Sequence, residues 1–161
     1  MNWWMSAWAG LAVLGFAMVF SVPRRTLPGI IVLAITAHLL RSFALEQGAA
    51  LPLASFVAAL FVGFTAAIVA PRTGQATSIY AFAPVIPLIP GTYMFEALSG
   101  LLELTTGDVA DPSAVVDTAI IDTAIATLTI VALAVGTIGP TLVAGRRIAR
   151  IAHVEVTGLD G

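Results

Sequence analysis

The residues of this chain most able to do chemistry are few, and they stand in apolar surroundings: His38, Arg41, Glu96 and Asp122. An ionisable group inside an apolar span is costly. It usually faces the interior of a helix bundle, pairs with a neighbour, and marks a path for ions or substrate. At 1.5 Å per residue from the outer ends of their spans, Arg41 and Asp122 lie about 6 Å deep and Glu96 about 10 Å deep. The three are expected to meet at one level, with Glu96 and Asp122 as candidate charge partners of Arg41. His38 sits one turn deeper than Arg41 on the same face, because residues three apart are neighbours on a helix. As function, this reads as a charged cluster that binds or gates an anionic substrate, with His38 as a proton site. The plainer reading is a structural Arg41–carboxylate pair, with Arg41 extending to the nearby interface.

A second feature lies in the stretch Ala83-Pro84-Val85-Ile86-Pro87-Leu88-Ile89-Pro90-Gly91. Each proline lacks an N–H and crowds the carbonyl four residues back, so Tyr80, Ala83 and Ile86 lose their helical partners. Each also drives its predecessor out of the helical region. A continuous helix is not expected here. Unpaired backbone cannot face lipid, so the break must be buried in protein or line a wet cavity. After Gly91 the helix is expected to restart with Thr92 as N-cap. A half-helix starting there offers free N–H groups and the positive end of its dipole, as discontinuous transporter helices do toward substrate carboxylates. A single proline would signal only a kink; three in seven residues plus glycine signal a break.

These residues need a bilayer around them. The chain has 161 residues, 59% of them hydrophobic and only 10% charged. A soluble domain averages about a quarter charged residues, so this is an integral membrane protein. With no cysteine and two distant histidines, neither thiol chemistry nor a metal site is expected, and no cofactor. The net charge of −2 leaves no nucleic-acid footprint. No phosphate-binding loop or nucleophile elbow is present, and an enzyme is the weakest reading.

The expected fold is all-α, with five transmembrane helices at roughly 3–22, 28–45, 51–70, 79–104 and 118–144, each near the 20 residues a span needs. The fourth is broken at Pro84-Pro87-Pro90-Gly91. The fifth starts earlier if Asp111-Pro112 acts as N-cap and first helical residue. Gly139-Pro140 should kink or end it. Its small and hydroxylic residues Thr118, Asp122, Ala126, Thr129 and Gly136 form a stripe suited to close helix packing. The first span has no basic leader and no small-residue cleavage site, so it reads as an uncleaved helix.

Every cationic side chain is an arginine. Arg24, Arg25, Arg72, Arg146, Arg147 and Arg150 fall on one side if the N-terminus is outside, while Glu46, Glu103, Asp108 and Asp111 fall on the other. The positive-inside rule then gives N-terminus out and C-terminus cytoplasmic, with Trp3, Trp4 and Trp8 at the outer interface. Residues 1–145 form the membrane domain and 146–161 a short, mobile cytoplasmic tail.

The segment from Leu14 to Phe20 followed by Val22-Pro23, then His38-x-x-Arg41, then Pro84-x-x-Pro87-x-x-Pro90-Gly91, resembles the threonine/serine exporter family (ThrE-like), in particular its short five-span membrane subunit. The resemblance covers most of the chain. It implies export of small metabolites, threonine and serine or a dicarboxylate such as succinate, across the bacterial inner membrane. It also implies a partner, a larger five-span subunit with a cytosolic portion; a homo-oligomer is a further option. His38, Arg41, Pro87, Pro90 and Gly91 match positions of the family pattern, while Glu96 and Asp122 belong to no motif of it. Five spans place the two ends on opposite faces, so a second such unit joined in series would be inverted, a common transporter plan. The alternative is a non-transporting scaffold that assembles a partner membrane protein.

Overall fold

The computed structural model describes residues 3–19, 22–107 and 111–157, with side chains described over 10–19, 22–107 and 111–143. The described residues form six α-helices in order: α1 (Trp3–Val19), α2 (Leu27–Glu46), α3 (Leu51–Thr73), α4 (Thr77–Phe82), α5 (Gly91–Thr106) and α6 (Pro112–Thr157). A 3-10 segment, Ala83–Leu88, joins α4 to the break before α5. No strand occurs among the described residues.

The helix limits follow from local chemistry. Proline stands in the first turn of α2 and α3, where its missing N–H has no intrahelical partner to lose. Gly74 closes α3 in the left-handed region at φ 63°, where a side chain would be strained, and its N–H bonds to the Ala70 carbonyl. Asp111 caps α6 as expected. Its Oδ1 accepts from the Ser113 hydroxyl at 2.6 Å and from the N–H groups of Ser113 at 3.1 Å and Ala114 at 3.2 Å.

The Ser113 hydroxyl, followed by the Ala114 N–H, holds the Asp111 carboxyl below its usual range. Because the folded value is the lower one, the cap's contribution is complete above the ordinary aspartate value of about 3.9. It is lost as the pH falls through the folded value. Asp111→Ala is therefore expected to lower thermal stability at neutral pH. The difference from wild type should shrink on acidification below about pH 4. Paired unfolding curves in detergent at several pH values check this.

Large side chains face outward and small ones inward. Among the described residues, thirteen of the twenty that are buried and apolar are alanine, while Phe64, Phe95, Leu98, Leu128 and Val135 are exposed. That distribution suits helices that pack through small residues and turn bulk toward lipid. By length and composition α2, α3 and the Pro112–Val143 part of α6 can each cross a bilayer. Thr77–Leu88 and Gly91–Thr106, bent by 54°, make a fourth crossing if counted as one span.

α3 is the hub, packed on α2, α4, the 3-10 segment and α6; α5 packs chiefly on α6. One buried cluster joins Val13, Ile30, Ala34, Ala66, Ala70 and Tyr80. A second joins Leu33 and Ala37 of α2, Ala58, Ala59 and Val62 of α3, Leu88 of the 3-10 segment and Leu133 of α6. In the expected stripe of α6, Asp122, Ala126, Thr129 and Gly136 are buried and Thr118 is exposed.

Two expectations are corrected here. Of the kink or end expected at Gly139-Pro140, the end does not occur: α6 runs on as helix to Thr157. Pro140 is buried against α3, and that packing holds the helical path through it. The segment read as a tail is therefore helical as far as Thr157, and 158–161 lie outside the described residues. The second correction is the cap of α5: Pro90 occupies the N-cap position and Gly91 is already helical, so Thr92 lies within the first turn. The Pro90 carbonyl accepts from the Met94 N–H at 3.2 Å and so starts the helix two residues earlier. The indoles of Trp3, Trp4 and Trp8, the side chains of Arg146, Arg147 and Arg150, and Asp108 lie outside the described residues.

Candidate functional site at the broken helix

The three prolines act in succession. Pro84 opens the 3-10 segment, Pro87 lies within it and Pro90 precedes α5. Tightening to i→i+3 bonds gives new partners to some carbonyls: Ile86 O accepts from the Ile89 N–H at 3.1 Å. The Gly91 N–H, which would serve Leu88 in the same pattern, turns back to Ile89 O at 2.9 Å. Leu88 is fully buried, so its carbonyl needs a donor from elsewhere.

Arg41 supplies it. Its Nη1 donates to Leu88 O at 2.6 Å, across 47 residues of sequence. The cation thus sits at the carbonyl end of one helical segment, where the backbone dipole is negative. The bond uses one of five guanidinium N–H groups. His38 on the same helix and Tyr93 in the first turn of α5 lie within electrostatic reach of Arg41. The site therefore holds a cation, an imidazole, a phenol and a helix N-terminus around one backbone break. Gly91 and Thr92 are exposed and Tyr93 partly so, which leaves that N-terminus open on one side.

The structure does not bring Arg41, Glu96 and Asp122 together as the depth estimate suggested: no ion pair joins them among the described residues. Arg41 takes the Leu88 carbonyl instead. α5 turns by 54° at the break and packs along α6. Glu96 is exposed and, with Ser99, Glu103 and Thr118, lines an α5–α6 cleft of about 310 Å³. Asp122 is 7% exposed on α6. The facing direction of these side chains was not legible in the sequence.

Sequence reasoning missed Tyr93. The available signal was its position two residues after Gly91, in the first turn of the helix that restarts there. It also missed Ser55, a fully buried hydroxyl on α3.

A family model described as Threonine/Serine exporter, ThrE, matches residues 5–143. The chain belongs to this exporter family. A protein of Haemophilus influenzae, named only as an uncharacterized protein, is 28% identical over 96 residues, which are 60% of this chain and 32% of that one. The chain spans about a third of the length of this curated relative. No solved structure matches it.

Proposed function

We propose that this chain is the membrane half of a secondary exporter for small carboxylate-bearing metabolites, threonine and serine first. The reading is carried by one observation: a broken span whose last buried carbonyl is held by Arg41, with a new helix N-terminus beginning three residues later. A carboxylate suits the free N–H groups of that N-terminus and the remaining donors of Arg41. Succinate carries the same group and stands as a second substrate class. His38 is the proton site, and Pro87, Pro90, Gly91 and Thr92 line the path. The proposed topology has five spans, N-terminus outside and C-terminus cytoplasmic, in the bacterial inner membrane. α1 is the first span and the bent pair the fourth.

The site's open side calls for a wall from another chain. The proposed partner is a larger five-span member of the family with a cytosolic portion, inverted relative to this chain. The relative's greater length fits such a two-part plan. If the partner's arginine bias gave it the same orientation as this chain, the inverted pairing would fail.

Efflux from proteoliposomes tests the proposal. Vesicles holding both subunits, loaded with labelled threonine, serine or succinate, should release at least one of them under an imposed gradient. Pro87→Ala with Pro90→Ala restores two backbone donors and should lower efflux on the order of tenfold. Assembly without efflux of any of the three would favour the scaffold reading and end this one.

A further inference from the structure

Two buried side-chain oxygens have no hydrogen-bond partner among the described residues: Ser55 Oγ on α3 and Thr137 Oγ1 on α6. Other helix hydroxyls of this chain return to their own backbone. Thr36, Thr65, Thr118, Thr123 and Thr129 each donate to the carbonyl four residues back. Ser55, fully buried, does not. A buried hydroxyl left unmatched costs free energy unless something absent from the protein alone completes it.

The surroundings of Ser55 follow from helix register. Ala59, Ala37, Leu133 and Leu88 pack in one buried cluster. α3 and α6 run in the same direction, since Gly63 meets Thr137 and Pro140 while Gly136 meets Phe56 and Leu60. α2 runs the opposite way, joined to α3 by the short turn 47–50. One turn beyond Ala59 and Ala37 of that cluster therefore stand Ser55 on α3 and Arg41 on α2. The chain leaves Leu88 into the same layer and begins α5 there. Ser55 thus shares its level with the break, Arg41 and the α5 N-terminus. Thr137 lies on the other side of the cluster, where the α3 and α6 backbones touch.

We propose that Ser55 recognises the side-chain hydroxyl of the transported molecule, a hydroxy-amino acid whose carboxylate lies toward Arg41 and the α5 N-terminus. This assignment rests on the export reading above. The match is chemical. A carboxylate needs several donors and positive potential, which Arg41 and the helix end provide. An ammonium group needs several acceptors or a negative charge, which one hydroxyl does not supply. A lone neutral hydroxyl that both donates and accepts fits another neutral hydroxyl. Its lack of a partner in the unliganded protein is then the basis of selectivity, because an analogue without the hydroxyl leaves Ser55 unmatched.

The test compares threonine with 2-aminobutyrate, the same skeleton without the hydroxyl, and serine with alanine, as competitors of labelled threonine efflux from vesicles holding the full exporter. Wild type should prefer the hydroxylated member of each pair about ten- to hundredfold. Ser55→Ala should bring both ratios toward one while 2-aminobutyrate is still exported. Ser55→Cys, which keeps the side-chain shape with a somewhat larger and more weakly hydrogen-bonding atom, should fall between. Thr137→Val removes the other unpartnered hydroxyl away from the site and should leave the ratios unchanged. Equal competition within each pair by wild type overturns the assignment. So does an undiminished preference in Ser55→Ala or Ser55→Cys, and in that case threonine efflux itself keeps the export reading standing. A wild-type complex that moves neither serine nor threonine overturns the assignment, and one that moves none of serine, threonine and succinate overturns the export reading as well.

Discussion

Arg41→Ala is expected to abolish export. The substitution removes the donor from Leu88 O, a carbonyl inside a fully buried residue, and lipid offers no water to replace it. Leaving such an acceptor unmatched costs about 1–3 kcal/mol, so the variant should also melt earlier. Stability loss alone does not explain a transport defect, and the two separate when efflux is expressed per folded exporter. On that measure a purely structural arginine leaves the rate unchanged, whereas a substrate-holding one lowers it by more than about tenfold. Arg41→Lys sharpens the contrast. The ammonium keeps the charge and can still donate to one carbonyl, but it lacks the planar fork that serves a carbonyl and a carboxylate together. It should recover most of the lost thermal stability and little of the efflux. Efflux per folded exporter at the wild-type level in both variants would remove Arg41 from the transport path.

That double role was only partly legible in the sequence. The break was legible because proline acts through its own missing N–H, a local property that no tertiary contact restores. The small-residue stripe of α6 was legible for a similar reason, since its spacing alone sets a common face. The partner of Arg41 was not. Depth estimates count residues along each helix, and they placed Arg41, Glu96 and Asp122 at comparable levels without their azimuths. The 54° turn at the break then carried α5 along α6, with Glu96 on an exposed cleft. A carbonyl cannot be read from side-chain chemistry at all, so Leu88 was invisible as an acceptor until the chain was folded. Thr92 failed as a cap for a related reason: its hydroxyl chemistry fits the role, but the dihedrals of Pro90 start the helix two residues earlier.

The largest stability effect is expected where α3 crosses α6. A Cβ on Gly63 would lie 2.6 Å from Thr137 O and 2.8 Å from Gly136 O, and a Cβ on Gly136 would lie 2.9 Å from Phe56 O. These neighbours are mostly backbone atoms, which cannot rotate aside as a side chain can. Pro140 has no N–H to offer Gly136 O, so the Gly63 backbone closes over a carbonyl that the helix itself leaves unpaired. Gly63→Ala or Gly136→Ala should therefore each cost about 1–3 kcal/mol despite the gain in helix propensity. Gly63→Leu should force the two helices apart and abolish recovery of folded protein. Gly139 supplies the comparison on the same helix: apart from its chain neighbours, a Cβ there meets nothing within 4 Å. Gly139→Ala should change stability little, because alanine's helical advantage of about 0.5–1 kcal/mol is opposed by crowding between the new Cβ and the Pro140 ring. Thermal unfolding in detergent reads all of these. Equal behaviour of Gly136→Ala and Gly139→Ala would mean that the crossing tolerates a methyl group, and that the buried alanines around it, rather than backbone contact, hold α3 against α6.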